Sequence, residues 1–310
     1  IGFYFSSNNT LSGINMVSNT VGGIDIRSSC NNTLSDNNIA NSNNGIELYY
    51  SSNNTLSNNN ITASTYCGIV VELSSDNNVL SNNNITATSD YFGIFLNSVS
   101  HNTLVGNNVA NHNPRGIYLL NSTFNTLSGN KAITNDYQGI WLDQSHNNTL
   151  SSNNATNNYV GIALVLSHNN TLSNNDIEDN IEGISLSNIE GNKISGNSIT
   201  ANDFHGIQIY SSHDYILSGN SVTYNGEYGI WLSSCFDNRI FHNGFVYNKV
   251  NAYTEEGENA VWDDGYPSGG NYWSDYTGVD LFSGPYQNIT GSDGIGDTPY
   301  IIDEQNQDNY

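Results

Sequence analysis

His146, His168, Glu190 and His213 follow one another at intervals of 22 or 23 residues. If the chain makes one turn per interval, their side chains form a column with neighbours about 4.8 Å apart. Imidazoles and a carboxylate at that spacing can share a metal ion or a proton. Phe95, Tyr118 and Trp141 keep a similar interval in another column, and Asp143 stands two residues past the last of them. This predicts an exposed aromatic stripe about 10 Å long, suited to sugar rings or to packing between subunits. Near the C terminus, Asp293, Asp297 and Asp303 lie among Gly-containing turns. Their hard oxygens suggest calcium, although the spacing lacks the closing bidentate Glu of an EF-hand. Catalysis finds less support. The six basic residues, Arg27, Arg115, Lys131, Lys193, Arg239 and Lys249, are scattered. Outward acids such as Asp25 and Glu47 show no evident partner at the 5–9 Å separation typical of glycosidases.

A repeat must hold these columns. Gly-Ile-x-Leu, Asn-Thr-Leu and Asn-Asn-Ile recur eleven times, marked by Gly2, Gly23, Gly45, Gly68, Gly93, Gly116, Gly139, Gly161, Gly183, Gly206 and Gly229. That period lies in the range of solenoid proteins. Each unit holds three short apolar-alternating segments, for example Ile46 and Leu48, then Leu56, then Ile61. Alternation with a period of two is the mark of half-buried strands. The prediction is an all-β parallel β-helix of about eleven coils over residues 1–245, with three short strands per coil. A non-repetitive, aromatic- and Asp-rich segment, 246–310, would cap it, whereas Ile1 to Phe5 are expected to leave a raw coil edge.

Between the strands run two Asn columns. One contains Asn32, Asn54, Asn78, Asn102, Asn125, Asn148, Asn170 and Asn192; the other contains Asn59, Asn83, Asn107, Asn130, Asn153, Asn175, Asn197 and Asn220. Asn tolerates the left-handed backbone of a sharp corner. Stacked vertically, its amide can donate to the next carboxamide and accept from the previous one, forming a ladder. Most Asn residues are therefore architectural. Tyr66, Tyr91, Tyr137, Tyr159 and Phe204, two places before the repeat Gly, are expected to form a further aromatic stack.

The formal net charge of −23 reflects a shortage of Lys and Arg, six in all. Such a surface repels nucleic acid and anionic membranes. No apolar run reaches the roughly 18 residues needed to span a bilayer, and residues 1–5 read as repeat rather than signal peptide. Cys30 and Cys235 are expected at equivalent positions nine coils apart, with Cys67 at another corner, which makes an internal disulfide improbable. Sequons occur at Asn8, Asn31, Asn53, Asn60, Asn84, Asn121, Asn147, Asn154, Asn169 and Asn288, so a glycoprotein is expected in a secretory setting.

The repeat Ser-Ser-Asn-Asn-Thr-Leu-Ser-Asn-Asn-Asn-Ile-Thr at 51–62 resembles the right-handed parallel β-helix proteins of the NosD-like class, especially the surface proteins of methanogenic archaea. The segments Gly-Gly-Asn-Tyr-Trp-Ser-Asp-Tyr (269–276) and Asp-Gly-Ile-Gly-Asp-Thr-Pro-Tyr (293–300) look like that group's usual ending. The resemblance implies an extracellular or cell-surface location. It also brings the name of a copper-maturation factor, which a chain with one Met and three dispersed Cys matches poorly. The favoured reading is a non-enzymatic structural protein of an archaeal envelope, self-associating into a sheath or filament or contacting other envelope proteins. The alternatives are carbohydrate binding or modification through the aromatic stripe, and metal handling through the His column.

Overall fold

A computed structural model describes residues 1–19, 22–87, 91–255 and 259–310. Three parallel sheets of twelve strands each wind around one core, and no helix occurs among the described residues. The first sheet runs from Gly2–Tyr4 through Ile24–Arg27 to Val250–Thr254. The second ends at Asn259–Val261 and the third at Tyr272–Trp273, so the tail continues all three sheets before it closes them. Register is strict: Ile46 pairs with Ile69, and Ile69 with Ile94. Alternation then sends Ile and Leu from each sheet into the interior, where Ile46, Leu56 and Ile61 have no exposed surface.

The corners divide labour between adjacent residues. Asn31, Asn53 and Asn77 have φ of 57°, 58° and 57°, while the following Asn32, Asn54 and Asn78 turn inward and are buried. The left-handed backbone expected of the ladder Asn thus belongs to the residue before it. A local side chain can satisfy only one geometry, so one Asn makes the bend and the next stacks.

Asn130 shows how a rung is satisfied. Asn130 Nδ2 donates to Asn153 Oδ1 at 3.0 Å and to the Leu104 carbonyl at 2.9 Å. Its Oδ1 accepts from the Asn107 backbone N–H at 3.0 Å and from Asn107 Nδ2 at 2.9 Å. The first ladder runs likewise from Asn9 until Tyr215 interrupts it. A third ladder, absent from the sequence reading, joins Asn135, Asn158, Asn180, Asn202, Asn225 and Asn248. A buried Ser column accompanies them: Ser122 and Ser145 Oγ each accept a backbone N–H from the preceding coil. Cys235 occupies this column, its thiol donating to the Ile209 carbonyl as Ser145 Oγ does to Leu119. Cys30 sits in the adjacent, more exposed column. The expected equivalence of Cys30 and Cys235 therefore fails by one residue, because the two corners differ in their offset from the ladder Asn. None of the three cysteines forms a disulfide among the described residues.

Where the third ladder begins, His112 takes the inward position, its backbone N–H on Asn135 Oδ1 at 3.2 Å and its ring Nε2 3.1 Å from the Ile85 carbonyl. Burial pushes the imidazole down to about 4. A His whose folded value lies below its unfolded one is bound neutral, so stability is lost as pH falls from about 6.5 towards 4. His112→Asn is expected to leave stability at pH 7 little changed and to remove up to about 3 kcal/mol of acid sensitivity. Urea midpoints at pH 7 and pH 4.5 would measure this; equal acid losses in both proteins would refute it.

The second ladder passes through Asn243 into Asn271, whose Oδ1 accepts from Asn243 Nδ2 at 2.9 Å. Asn271 then donates its backbone N–H to Asp308 Oδ2 at 2.6 Å, and Trp273 Nε1 donates to the same oxygen at 2.9 Å. The Gly-Gly-Asn-Tyr-Trp motif thus supplies the last rung, and Asp308 receives its terminal donors. Trp273 lies between Phe245 and Tyr300, with ring centroids 4.7 and 4.3 Å away. Gly270 packs so closely on Asp308 and Tyr310 that no Cβ fits there.

Candidate functional site

The outer face of the first sheet gathers the polar and aromatic groups that the core excludes. Inward Ile117 and Leu119 leave Tyr118 outward, and register aligns Val70, Phe95, Tyr118, Trp141 and Ala163 on successive strands. Phe95 and Tyr118 rings stack at 5.2 Å, and Tyr118 and Trp141 at 4.4 Å with only 9° between planes. The stripe expected from the sequence is therefore in place, but it is not freely exposed. Tyr118 is buried, Phe95 and Trp141 are half-buried, and Cys67, Val70 and Phe92 pack beside them. Arg115 lies with its guanidinium carbon 4.0 Å from the Trp141 ring centroid, and its Nε donates to Gln138 at 2.7 Å. A guanidinium stacks readily on an indole. Burial, followed by the charge of Asp143, pushes the Tyr118 hydroxyl up to about 12; it donates to Asp143 at 3.3 Å.

Towards the N terminus this platform opens into a cavity of about 400 Å³. Val70 and Cys67 form its floor, Tyr66, Tyr91, Phe92 and Phe95 its aromatic side, and Asn44, Glu47 and Glu72 its polar side. Burial, then the charge of Asp25, raises the Glu47 carboxyl above its ordinary range. Towards the C terminus a second aromatic group surrounds Trp231, with Tyr210 at 4.9 Å and His205 at 5.1 Å. Gln208 donates there to Glu182 at 2.6 Å and Ser185 at 2.9 Å. Trp141 and Trp231 are four strands apart, about 19 Å at the spacing of a sheet.

The His column resolves into two pairs. His146 and His168 stack at 5.0 Å with 4° between planes, and the His168 backbone N–H donates to His146 Nδ1 at 3.0 Å. Burial, with the neighbouring His168, lowers the His146 value. His213 instead stacks on Phe236 at 4.9 Å and approaches Asp214 Oδ2 with Nδ1 at 3.1 Å. Glu190, His213 and Asp214 offer ligand atoms within 4.8 Å of one another, the one such group among the described residues. Asp214 joins the group from the corner, adjacent to His213 in chain rather than in column.

The Asp residues of the calcium expectation hold turns of the tail in place. Asp297 accepts backbone N–H groups from Leu281 and Phe282, and Asp293 accepts from Gly284 and Ile295. Asp303 accepts from Gln305 and Asn306 and from the Thr254 hydroxyl. These carboxylates tie separate turns together, and an oxygen that accepts one N–H keeps a second lone pair. Arg115, Glu72 and Gln208 were missed, since their roles come from neighbouring coils. Their only sequence signal was outward placement at the repeat interval.

A family model described as periplasmic copper-binding protein (NosD) matches residues 107–278, more than half the chain. A second, described as right-handed β-helix region, matches residues 1–132. Among solved structures, the A-module of the Azotobacter vinelandii mannuronan C-5 epimerase AlgE4 superposes with a TM-score of 0.66 at 13% identity, covering 85% of this chain and 89% of that one. The periplasmic alginate epimerase AlgG gives 0.58 at 15%, covering 82% and 74%, and the Dettilon tailspike protein 0.57 at 14%, covering 86% and 63%. At such identities the likeness is one of fold. No curated protein sequence matches the chain significantly. No helix among the described residues is long and apolar enough to cross a membrane.

The residues present do not fit a copper shuttle. Met16 is the only Met, and it belongs to the apolar core. Burial pushes the Cys67 thiol up to about 12, away from the thiolate a soft metal binds. The Glu190–His213–Asp214 group has one imidazole and two carboxylates, a donor set for harder or borderline dications.

Proposed function

The chain belongs to the NosD family, and from that premise we propose that it is a non-enzymatic, extracytoplasmic scaffold that holds a polysaccharide along the outer face of its first sheet. The observation that carries this reading is the flat Tyr118–Trp141 platform, followed on the same face by the Trp231 group. Trp141, half-buried beside the covered Tyr118, holds a rigid apolar ring at the surface at little entropic cost, which suits the C–H faces of pyranoses. Two such surfaces about 19 Å apart on one straight sheet suit an extended polymer rather than one small molecule. Two of the fold neighbours are described as epimerases of alginate or mannuronan, which supports a glycan as the occupant. The net charge of −23 disfavours a polyanion of that kind and favours a neutral or cationic chain. Arg27 is held by Asp25 and Arg115 by Trp141 and Gln138, so both guanidinium groups act as surface structure. Periplasmic wording in the family description supports an extracytoplasmic place, and an archaeal envelope is the setting we propose.

Trp141→Ala is expected to weaken binding of a neutral oligosaccharide about tenfold to a hundredfold while the far-ultraviolet circular dichroism stays unchanged. A neutral glycan array identifies the probe, and calorimetry on wild type and variant measures the loss. Undiminished binding by the variant, or no binding by wild type at millimolar sugar, would end this reading.

A second reading, lateral assembly of rods into a sheath or filament, is favoured by the exposed aromatic corner at Tyr66, Tyr91, Tyr137, Tyr159 and Phe204. Electron microscopy of concentrated protein tests it, and monodisperse monomers alone would count against it.

A further inference from the structure

We propose that the cavity between Glu47, Glu72 and the Phe92–Phe95 wall is a subsite for a sugar residue bearing a free, protonated amine, an unacetylated hexosamine within the bound chain. This rests on the polysaccharide reading above and names the chemistry of one position along the face.

Strand register sets the geometry. Val70 pairs with Glu47 and Glu72 with Tyr49, so the two glutamates lie on adjacent strands, offset by two residues. That places their Cα atoms about 8 Å apart on one face. The 400 Å³ between them and the aromatic wall is within the size range of small-ligand pockets, roughly 300–1,000 Å³. Tyr66 and Tyr91 stack at 5.1 Å, Phe92 and Phe95 meet at 5.1 Å, and Val70 closes the floor. A pyranose can lay its apolar face on such a wall and direct a substituent at the carboxylates.

The carboxylates specify the substituent. Arg27 contacts Glu47 only at 3.9 Å, its shorter bond of 2.9 Å going to Asp25. Glu72 accepts from the Asn97 amide at 3.3 Å, a neutral donor. Asp25, Glu47 and Glu72 thus outnumber the guanidinium that pairs with them, and burial further penalises the Glu47 charge. An ammonium group would relieve this surplus through charge-assisted hydrogen bonds, and it would also gain from the ring faces. Arg115 stands at the other end of the platform, over Trp141.

The test compares a β-1,4-linked glucosamine tetramer with its fully N-acetylated counterpart by calorimetry at pH 6. The free-amine tetramer is expected to bind about tenfold more tightly. Glu72→Gln and Glu47→Gln should each reduce that ratio about threefold to tenfold and flatten its salt dependence. Affinity for the acetylated tetramer, set by Trp141, should move less than about twofold. Asp36→Asn removes an exposed corner carboxylate far from this face and controls for the protein's overall charge. Equal affinity for the two tetramers, or a ratio that survives both glutamine variants or falls equally in Asp36→Asn, would overturn the subsite and leave the polysaccharide reading standing. Binding by neither tetramer nor any neutral glycan would overturn both.

Discussion

Asn130→Ala is expected to destabilise the protein by about 3–5 kcal/mol, a large effect for loss of one buried corner amide. The side chain makes four hydrogen bonds, two accepted from Asn107 and two donated, to Asn153 and Leu104. Each is worth about 1 kcal/mol net, and truncation also leaves the Asn107 donors buried and unpaired. The neighbouring Asn108 provides the contrast: its Nδ2 donates to Asn84 Oδ1 at 2.7 Å, but on the solvent side of the strand. Water can replace that bond, so Asn108→Ala should cost less than about 1 kcal/mol. Urea denaturation of both variants decides the matter. Equal midpoint shifts would mean that the ladders are incidental to stability.

A second large loss is expected from Gly116→Ala, about 3 kcal/mol or more, accompanied by loss of glycan binding. A Cβ at this position would sit 2.6 Å from the Gly139 carbonyl oxygen and 2.9 Å from Asn135 Nδ2. Relief requires adjacent coils to separate where the sheet and the third ladder both hold them. Arg115 and Tyr118, which flank this glycine, would move with the backbone. Gly129 is different in kind: its φ is 64°, and nothing nearer than 4.0 Å would meet a Cβ. Asn occupies the same left-handed corner at Asn82 and Asn174, with φ of 52° and 54°. Gly129→Asn should therefore cost less than about 1 kcal/mol. If both variants melt together with wild type, close packing of the first-sheet glycines is not what sets the coil spacing.

The repeat itself was legible because a parallel solenoid demands the same solution in every coil. Residues about 23 apart meet, so Leu, Ile, Gly and the ladder Asn recur in phase. Two ladders could be read directly from Asn-Asn pairs, but which Asn bends and which stacks could not. Both positions admit the same residue, and only backbone geometry separates them. The third ladder stayed hidden because its Asn stands either three or four residues before the repeat Gly, as Asn158 and Asn135 show. The aromatic column was found in its correct register, yet its exposure was misjudged. Phe92 belongs to the preceding coil, and Arg115, on Tyr118's own strand, is held by Gln138 and Trp141 of the next, so these contacts exist only after stacking.

The tail shows the same boundary from the other side. Its motifs were recognisable as an ending, but that the Asp residues which suggested calcium also bind backbone N–H groups of other turns was not. Sequence by itself determined the period, the inward faces and the amide columns, since these are repeated demands of burial and hydrogen bonding. Tertiary structure alone decided which outward groups meet across coils, how deeply they are covered and what their lone pairs bind. Those properties depend on contacts between residues that occur once, where no repetition exists to reveal them.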